Sequence, residues 1–283
     1  MMGAFKCCKL NFLQWRTNWK YPVCGIFLLV ITWNTLHGFS DYAEALGCPM
    51  RPWLLALLPG DPHRFVLPML AYLMLISDAP FRNRQQQFVL QRVGKRTWIW
   101  GQILYLFFTS VLFAVLLWVL SWVFLLPNLE WKARWGPAIQ TAAQTGNHMQ
   151  YAYVVMSYNI IQDATPIVAT AWVFFMLIAV NFLFGLIVTV CNLWAGRGLG
   201  TAIAVFFCLE PMIIELFGST IGFERFLLWM SPVSWLNRSY LQHTNQNLPS
   251  VGYAIAMTLG ISILLILVIV GTIHRCNLDA NKE

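Results

Sequence analysis

FRNRQQQFVLQRVGKRTWIWGQILYLFFTSVLFAVLLWVLSWVFLL, Phe81–Leu126, changes character once. Up to Arg96 it is basic and rich in amides, with Arg82, Arg84, Arg92, Lys95 and Arg96 close together. From Trp98 to Leu126 it holds no charged residue. A helix that crosses a bilayer needs about 20 apolar residues. The second part therefore reads as a long span, and the first as a basic segment held at one membrane face.

Working outward, five more apolar runs can be read as spans: about Tyr21–Phe39, Pro62–Ala79, Pro166–Leu193, Leu199–Phe217 and Val251–His274. Pro62–Ala79 is the weakest, being short and carrying Pro68. Asp61 followed by Pro62 supports it as a cap and first-turn proline. Composition agrees with this reading. Of 283 residues, 59% are apolar and 10% charged, against about 25% charged in a soluble domain. That excludes a water-soluble enzyme, a secreted disulfide scaffold and a disordered regulator. The expected fold is an all-α polytopic membrane protein with six transmembrane helices. It forms a single membrane domain over residues 1–283, with no internal repeat.

The net charge of +7 follows from topogenic basic residues and does not point to nucleic acid. With six spans, twelve Lys and Arg fall on the side of both termini and six on the other. The bias puts both termini in the cytosol. The largest external segments are then about Pro127–Thr165 and Gly218–Ser250, neither resembling a separate domain. No cleavable signal is evident, and the first glycine sits third, so the usual myristoylation pattern fails. Cys7 and Cys8 read as ordinary apolar cysteines. Of the seven cysteines only Cys48 lies outside, which leaves no internal disulfide there, and no zinc spacing occurs.

Two amphipathic segments flank the spans. In residues 5–20, Phe5, Cys8, Phe12, Trp15 and Trp19 form one stripe at helical spacing, flanked by Lys9, Arg16 and Lys20. This is an N-terminal interfacial helix, either a plain lipid anchor or an elbow that a cytosolic partner contacts. In residues 81–96, Arg84, Gln87, Gln91 and Lys95 form a polar stripe, with Phe81, Phe88 and Val89 on another arc. That segment touches anionic lipid or docks in a partner's groove; the directional polar stripe favours docking.

Motifs of chemistry are missing. Gly94-Lys95 is followed by Arg96 and lacks the upstream glycine of a phosphate-binding loop. The glycine-rich 194–200 stretch is a tight turn between two spans. Neither Gly-x-Ser-x-Gly nor His-Glu-x-x-His occurs, and the five histidines are scattered. No catalytic, cofactor-binding or metal-binding residue is expected.

Polar residues within the spans carry more weight, because lipid disfavours them. Asn181 in the fourth span and Glu210 in the fifth lie at similar depth from their shared turn and are expected to hydrogen-bond. They serve as interhelical glue or as a polar patch on a transport path. Glu215 lies about 140° further round and need not share that surface. Pro211 is expected to bend its helix and is the candidate gate hinge. After the fifth span, Phe223, Phe226, Leu227, Leu228 and Trp229 are too few to cross and Pro232 interrupts, so an outer re-entrant hairpin is expected. Asn237-Arg238-Ser239 matches a glycosylation sequon.

Together these parts resemble the permease subunits of ABC-2 type ATP-binding-cassette transporters, by order and architecture across nearly the whole chain. The resemblance rests on three features. A basic amphipathic helix precedes span one. A basic helix ends in Gly94-Lys95-Arg96 before a long third span. A short outer hairpin carries Ser231-Pro232-Val233-Ser234-Trp235. The chain looks most like compact bacterial permeases of the cell membrane that pair with a separate ATPase. The resemblance implies two permease subunits, identical or not, and two cytosolic ATPase subunits that hold ATP and Mg. It also implies a coupling helix at Phe81–Arg96 and a second ATPase contact at the 192–199 turn. Two other readings remain: a membrane-embedded enzyme using Glu210 or a histidine, and a non-transporting immunity or sensor subunit in the same frame.

Overall fold

The computed structural model describes residues 2–81, 86–126, 128–196, 198–221, 224–241 and 248–274. It is helical throughout, and five helical stretches are long and apolar enough to cross a membrane: Lys20–Leu46, Phe88–Val123, Pro166–Trp194, Leu199–Phe217 and Val251–Thr272. The chain is thus a polytopic membrane protein.

The elements in order are α1 (Met2–Leu13), α2 (Lys20–Leu36), α3 (Gly38–Leu46), α4 (Pro62–Ile76), α5 (Gln86–Val123), α6 (Pro137–Thr145), α7 (Tyr158–Asp163), α8 (Pro166–Trp194), α9 (Leu199–Ile221), α10 (Glu224–Met230) and α11 (Val251–Thr272). Local signals set many ends. Asp61 caps α4 by accepting the Arg64 N–H at 3.1 Å, with Pro62 in the first turn. Ser250 caps α11 through the Tyr253 N–H. Gly196 and Gly198 take φ of 89° and 100° in the α8–α9 turn, as the glycine-rich stretch predicts.

α8 is the central post, packed against α5, α9 and α11; α4 lies against α2, α8 and α9. α4 has fifteen residues, so it rises about 22 Å and falls short of the apolar length expected for a span. The turns before it, Leu54–Ala56 and Leu58–Gly60, are 3₁₀ and almost wholly buried. At the end of the bundle remote from the N-terminus, residues 37–61 and 128–165 interlock. Met50 pairs with the 128–130 backbone, Asp61 Oδ2 accepts the Val155 N–H at 3.1 Å, and Trp53 donates to the Lys132 carbonyl at 2.8 Å. Lys132 and then Arg51 hold the Glu130 carboxyl below its ordinary range.

Several expectations need correction. The N-terminal segment is not one helix over 5–20. α1 stops at Leu13, a 3₁₀ turn follows at Gln14–Arg16, and α2 starts at Lys20. Its buried face is Ala4, Cys7, Cys8 and Asn11, while Phe5 and Trp19 are exposed. The cause is the surface that α1 meets. A Cβ at Gly101 of α5 would come within 2.5 Å of the Cys7 Cβ, and so close an approach admits only small side chains. Burial pushes the Cys7 and Cys8 thiols up in pKa, in keeping with ordinary apolar cysteines. The 81–96 segment is also not one helix: Gly94 adopts φ 76°, ψ 156°, an extended positive-φ conformation that breaks the helical register between Gln91 and Lys95. α9 extends four residues beyond Phe217, to Ile221, and continues through Pro211.

Candidate functional site

The corner Ser77–Phe81, between α4 and the basic segment, is gripped by polar side chains from four helices, with a fifth, α1, joined through Gln102. Lys20, at the start of α2, donates to Ser77 Oγ at 2.8 Å and to Asp78 Oδ2 at 2.6 Å. Asn192, near the end of α8, donates to the carbonyls of Ala79 at 2.7 Å and Ser77 at 3.3 Å. Thr201 of α9 reaches the Ser77 carbonyl at 3.4 Å. Gln102 of α5 accepts the Phe81 N–H at 3.3 Å, and the same oxygen accepts from Asn11 of α1 at 2.9 Å. Gln102 is 1% exposed, so these bonds form where water cannot replace them.

An aromatic group extends the grip. Phe81 meets Tyr105 edge-on at 4.7 Å, and Phe12 meets the other side of Tyr105 at the same separation. Trp15 donates to the Tyr105 hydroxyl at 2.7 Å and stacks on Tyr21. The start of α5 is tied once more, by Arg96 Nε bonding His274 Nε2 beyond α11 at 2.8 Å. The result is a fixed root at Ser77–Phe81. The Gln86–Val93 helix lies against the bundle through Val89, Leu90 and Val93, with Phe88, Gln91 and Arg92 exposed.

The structure places the expected residues unequally. Phe88, Gln91 and Arg92 share the Gln86–Val93 helix. Lys95 lies past the Gly94 break. Phe81 is not on a docking face; it is 5% exposed and serves as the root's apolar plug. Arg82 and Arg84 lie outside the described residues, as does the side chain of Gln87. In the 192–199 turn, Asn192 points into the protein rather than toward a partner, and Arg197 lies outside the described residues.

Asn181 and Glu210 are both buried, at 0% and 2% exposure, but they do not bond to each other. Neither Asn181 Nδ2 nor Oδ1 has a partner. Glu210 shares a hydrogen bond with Ser231, and its Oε2 has none. Counting residues from a hairpin turn fixes depth, not azimuth, and two groups at one depth can face different neighbours. Pro211 is buried beside Glu210. The segment after α9 carries α10 and then a buried turn, in which Ser231, Val233, Ser234 and Trp235 are each at most 4% exposed. Glu215 faces His63 at 3.3 Å on the exposed side. The sequon asparagine, Asn237, is 3% exposed and its oxygen accepts from Ser239, so it presents no surface amide.

An unpartnered buried amide costs about 1–3 kcal/mol. Asn181→Leu is therefore expected to raise the stability of the purified protein by roughly 1–2 kcal/mol, read as the thermal unfolding midpoint in detergent. A fall in midpoint would mean that Asn181 has a partner.

Sequence reasoning missed the root: Asn11, Lys20, Ser77, Gln102 and Asn192. Gln102 and Asn192 were visible as amides near the same end of two spans, which is the usable signal. Compared with protein-family models, curated proteins and solved structures, the chain matches none, and nothing there identifies the family that the sequence resembles.

Proposed function

We propose that this chain is the membrane-spanning permease subunit of an ATP-driven exporter of the ABC-2 type. It resides in a bacterial cell membrane with both termini in the cytosol, and works with a second permease subunit and separate cytosolic ATPase subunits that hold ATP and Mg. The observation that carries the reading is the exposed Phe88, Gln91 and Arg92 face of the Gln86–Val93 helix, beside the multiply fastened Ser77–Phe81 corner.

In this reading the partner ATPase grasps the face of Phe88, Gln91 and Arg92. Nucleotide-driven closure moves that helix, and the root passes the displacement to α5, α8 and α9 together. α9 carries the gate, with Pro211 as the point that lacks a backbone N–H and yields first. Alternating access needs such a two-state element.

The same reading takes α4 as the sixth crossing. Its far end, at Asp61, meets the segment that leads into α8, and its near end meets the far terminus of α8. The buried 3₁₀ turns over 54–60 complete the depth that fifteen helical residues lack. Non-helical backbone is tolerated there because protein surrounds it. The α10 helix and the buried 231–241 turn are the outer hairpin.

The test is ATP turnover by the co-purified ATPase in proteoliposomes. Phe88→Glu with Arg92→Glu is expected to lower permease-dependent stimulation by about tenfold or more, the size of one interface anchor, without lowering the unfolding midpoint. Unchanged stimulation would refute the docking role.

A further inference from the structure

One sizeable cavity lies away from both the root and Glu210. It is a groove of about 390 Å³ between α8 and α11, lined by Ala171, Phe175 and Ala179 on one side and by Ile255 and Leu259 on the other. The α8 residues recur at helical spacing from Val168 to Ala179, a run of roughly 16 Å. Ala171 and Ala179 leave the space. Phe175, Ile255 and Leu259 are exposed, so the groove opens sideways, toward where lipid would lie.

Its lining offers one available polar group. Thr258 lines the wall, but its hydroxyl already donates to the Ala254 carbonyl at 2.7 Å. The other is Arg238, whose Nε has no hydrogen-bond partner. No ion pair joins Arg238 to a carboxylate among the described residues. The mouth beside it is rigid. Trp172 donates to the Trp235 carbonyl at 3.2 Å, Trp235 to the Leu228 carbonyl at 2.9 Å, and Tyr253 to the Trp229 carbonyl at 3.0 Å. Tyr253 meets the rings of Trp229 and Trp235 edge-on. Tryptophan and tyrosine of this kind gather at the headgroup level of a bilayer.

We infer that this groove holds one acyl chain of an anionic phospholipid, with the phosphate on the Arg238 guanidinium. An apolar channel open to the bilayer suits the chain. A guanidinium whose buried Nε has no partner, at headgroup level, bonds the phosphate, and its charge favours a lipid of net negative charge over one whose ammonium offsets the phosphate. The site stands whether or not the protein transports anything.

Native mass spectrometry of the full chain, released from nanodiscs of equal phosphatidylglycerol and phosphatidylcholine, tests it. The wild type is expected to retain phosphatidylglycerol by about tenfold over phosphatidylcholine, the worth of one charge-assisted bond. Arg238→Gln should abolish that preference. Leu259→Trp, which fills the groove from an exposed position, should remove retention of both lipids. Both variants should keep the wild-type unfolding midpoint in phosphatidylcholine alone. Phosphatidylglycerol retention undiminished in Arg238→Gln would overturn the site. So would displacement by glycerol phosphate as effective as by the lipid. Loss of a protein dimer in Leu259→Trp with lipid retention intact would instead assign the groove to a second copy and overturn it equally.

Discussion

Gln102→Met is expected to lower the stability of the bundle by roughly 2–4 kcal/mol and to free the N-terminal helix from α5. Methionine keeps the length of the side chain and deletes its amide. The Gln102 oxygen accepts from both Asn11 and the Phe81 N–H. Interhelical hydrogen bonds within membrane proteins average only about 0.6 kcal/mol, which alone would make the variant mild. The larger part comes from leaving two buried donors without acceptors, at about 1–3 kcal/mol each. Thermal unfolding in detergent measures the loss. Faster limited proteolysis within residues 13–20, between α1 and α2, measures the release. A shift of less than about 0.6 kcal/mol would show that water reaches this oxygen's partners and that the root is not buried as described.

The second large effect is expected at Gly38→Ala, at the other end of the molecule. By helix propensity alone the change should help, by about 1 kcal/mol, because Gly38 opens α3. Packing reverses the sign. A Cβ at Gly38 would fall on the Tyr151 carbonyl oxygen and within 3.1 Å of the Ala152 nitrogen. Backbone cannot turn aside as a side chain can. Relief requires moving the 148–154 segment, which His148 ties to the Val154 carbonyl at 2.7 Å and stacks on Phe39. A net loss of about 3 kcal/mol, the upper end of overpacking costs, is expected in the unfolding midpoint. A neutral or stabilising result would mean that residues 37–61 and 128–165 do not interlock.

These two sites mark where the sequence could and could not be read. The long spans were legible because lipid imposes a length and forbids charge, and both constraints show within a single run such as Trp98–Leu126. The capped start of α4 and the glycine turn at 194–200 were legible because their signals are local. What was not legible depended on a partner surface. The α1 stripe of Phe5, Cys8, Phe12, Trp15 and Trp19 assumed lipid as its counterpart. Instead α1 meets Gly101, and its small residues turn inward. The buried 54–60 turns drew no reading at all, because seven mostly apolar residues are too short to register as a span. Asn181 and Glu210 were correctly placed in the interior, but depth could not say what each one faces. The root escaped notice because its members come from five separate helices and none is unusual for its own segment.

Charge distribution and the groove point to further dependence on lipid. The basic residues of α1 and of the 86–96 stretch lie at the end of the bundle away from Arg238, so the two ends would respond to anionic lipid independently. Salt should weaken the first, exposed contact more than the second, where the guanidinium nitrogen is buried.

The most direct test of the central claim is site-specific photocrosslinking from position 88 of the otherwise intact chain, in membranes of its native host. Phe88 is exposed on the Gln86–Val93 helix. The account predicts a single protein adduct, a nucleotide-hydrolysing subunit identified by mass spectrometry, and no adduct with that subunit from the lipid-facing position 263 on α11. Adducts with lipid alone, or with a protein on the extracytoplasmic side, would contradict it.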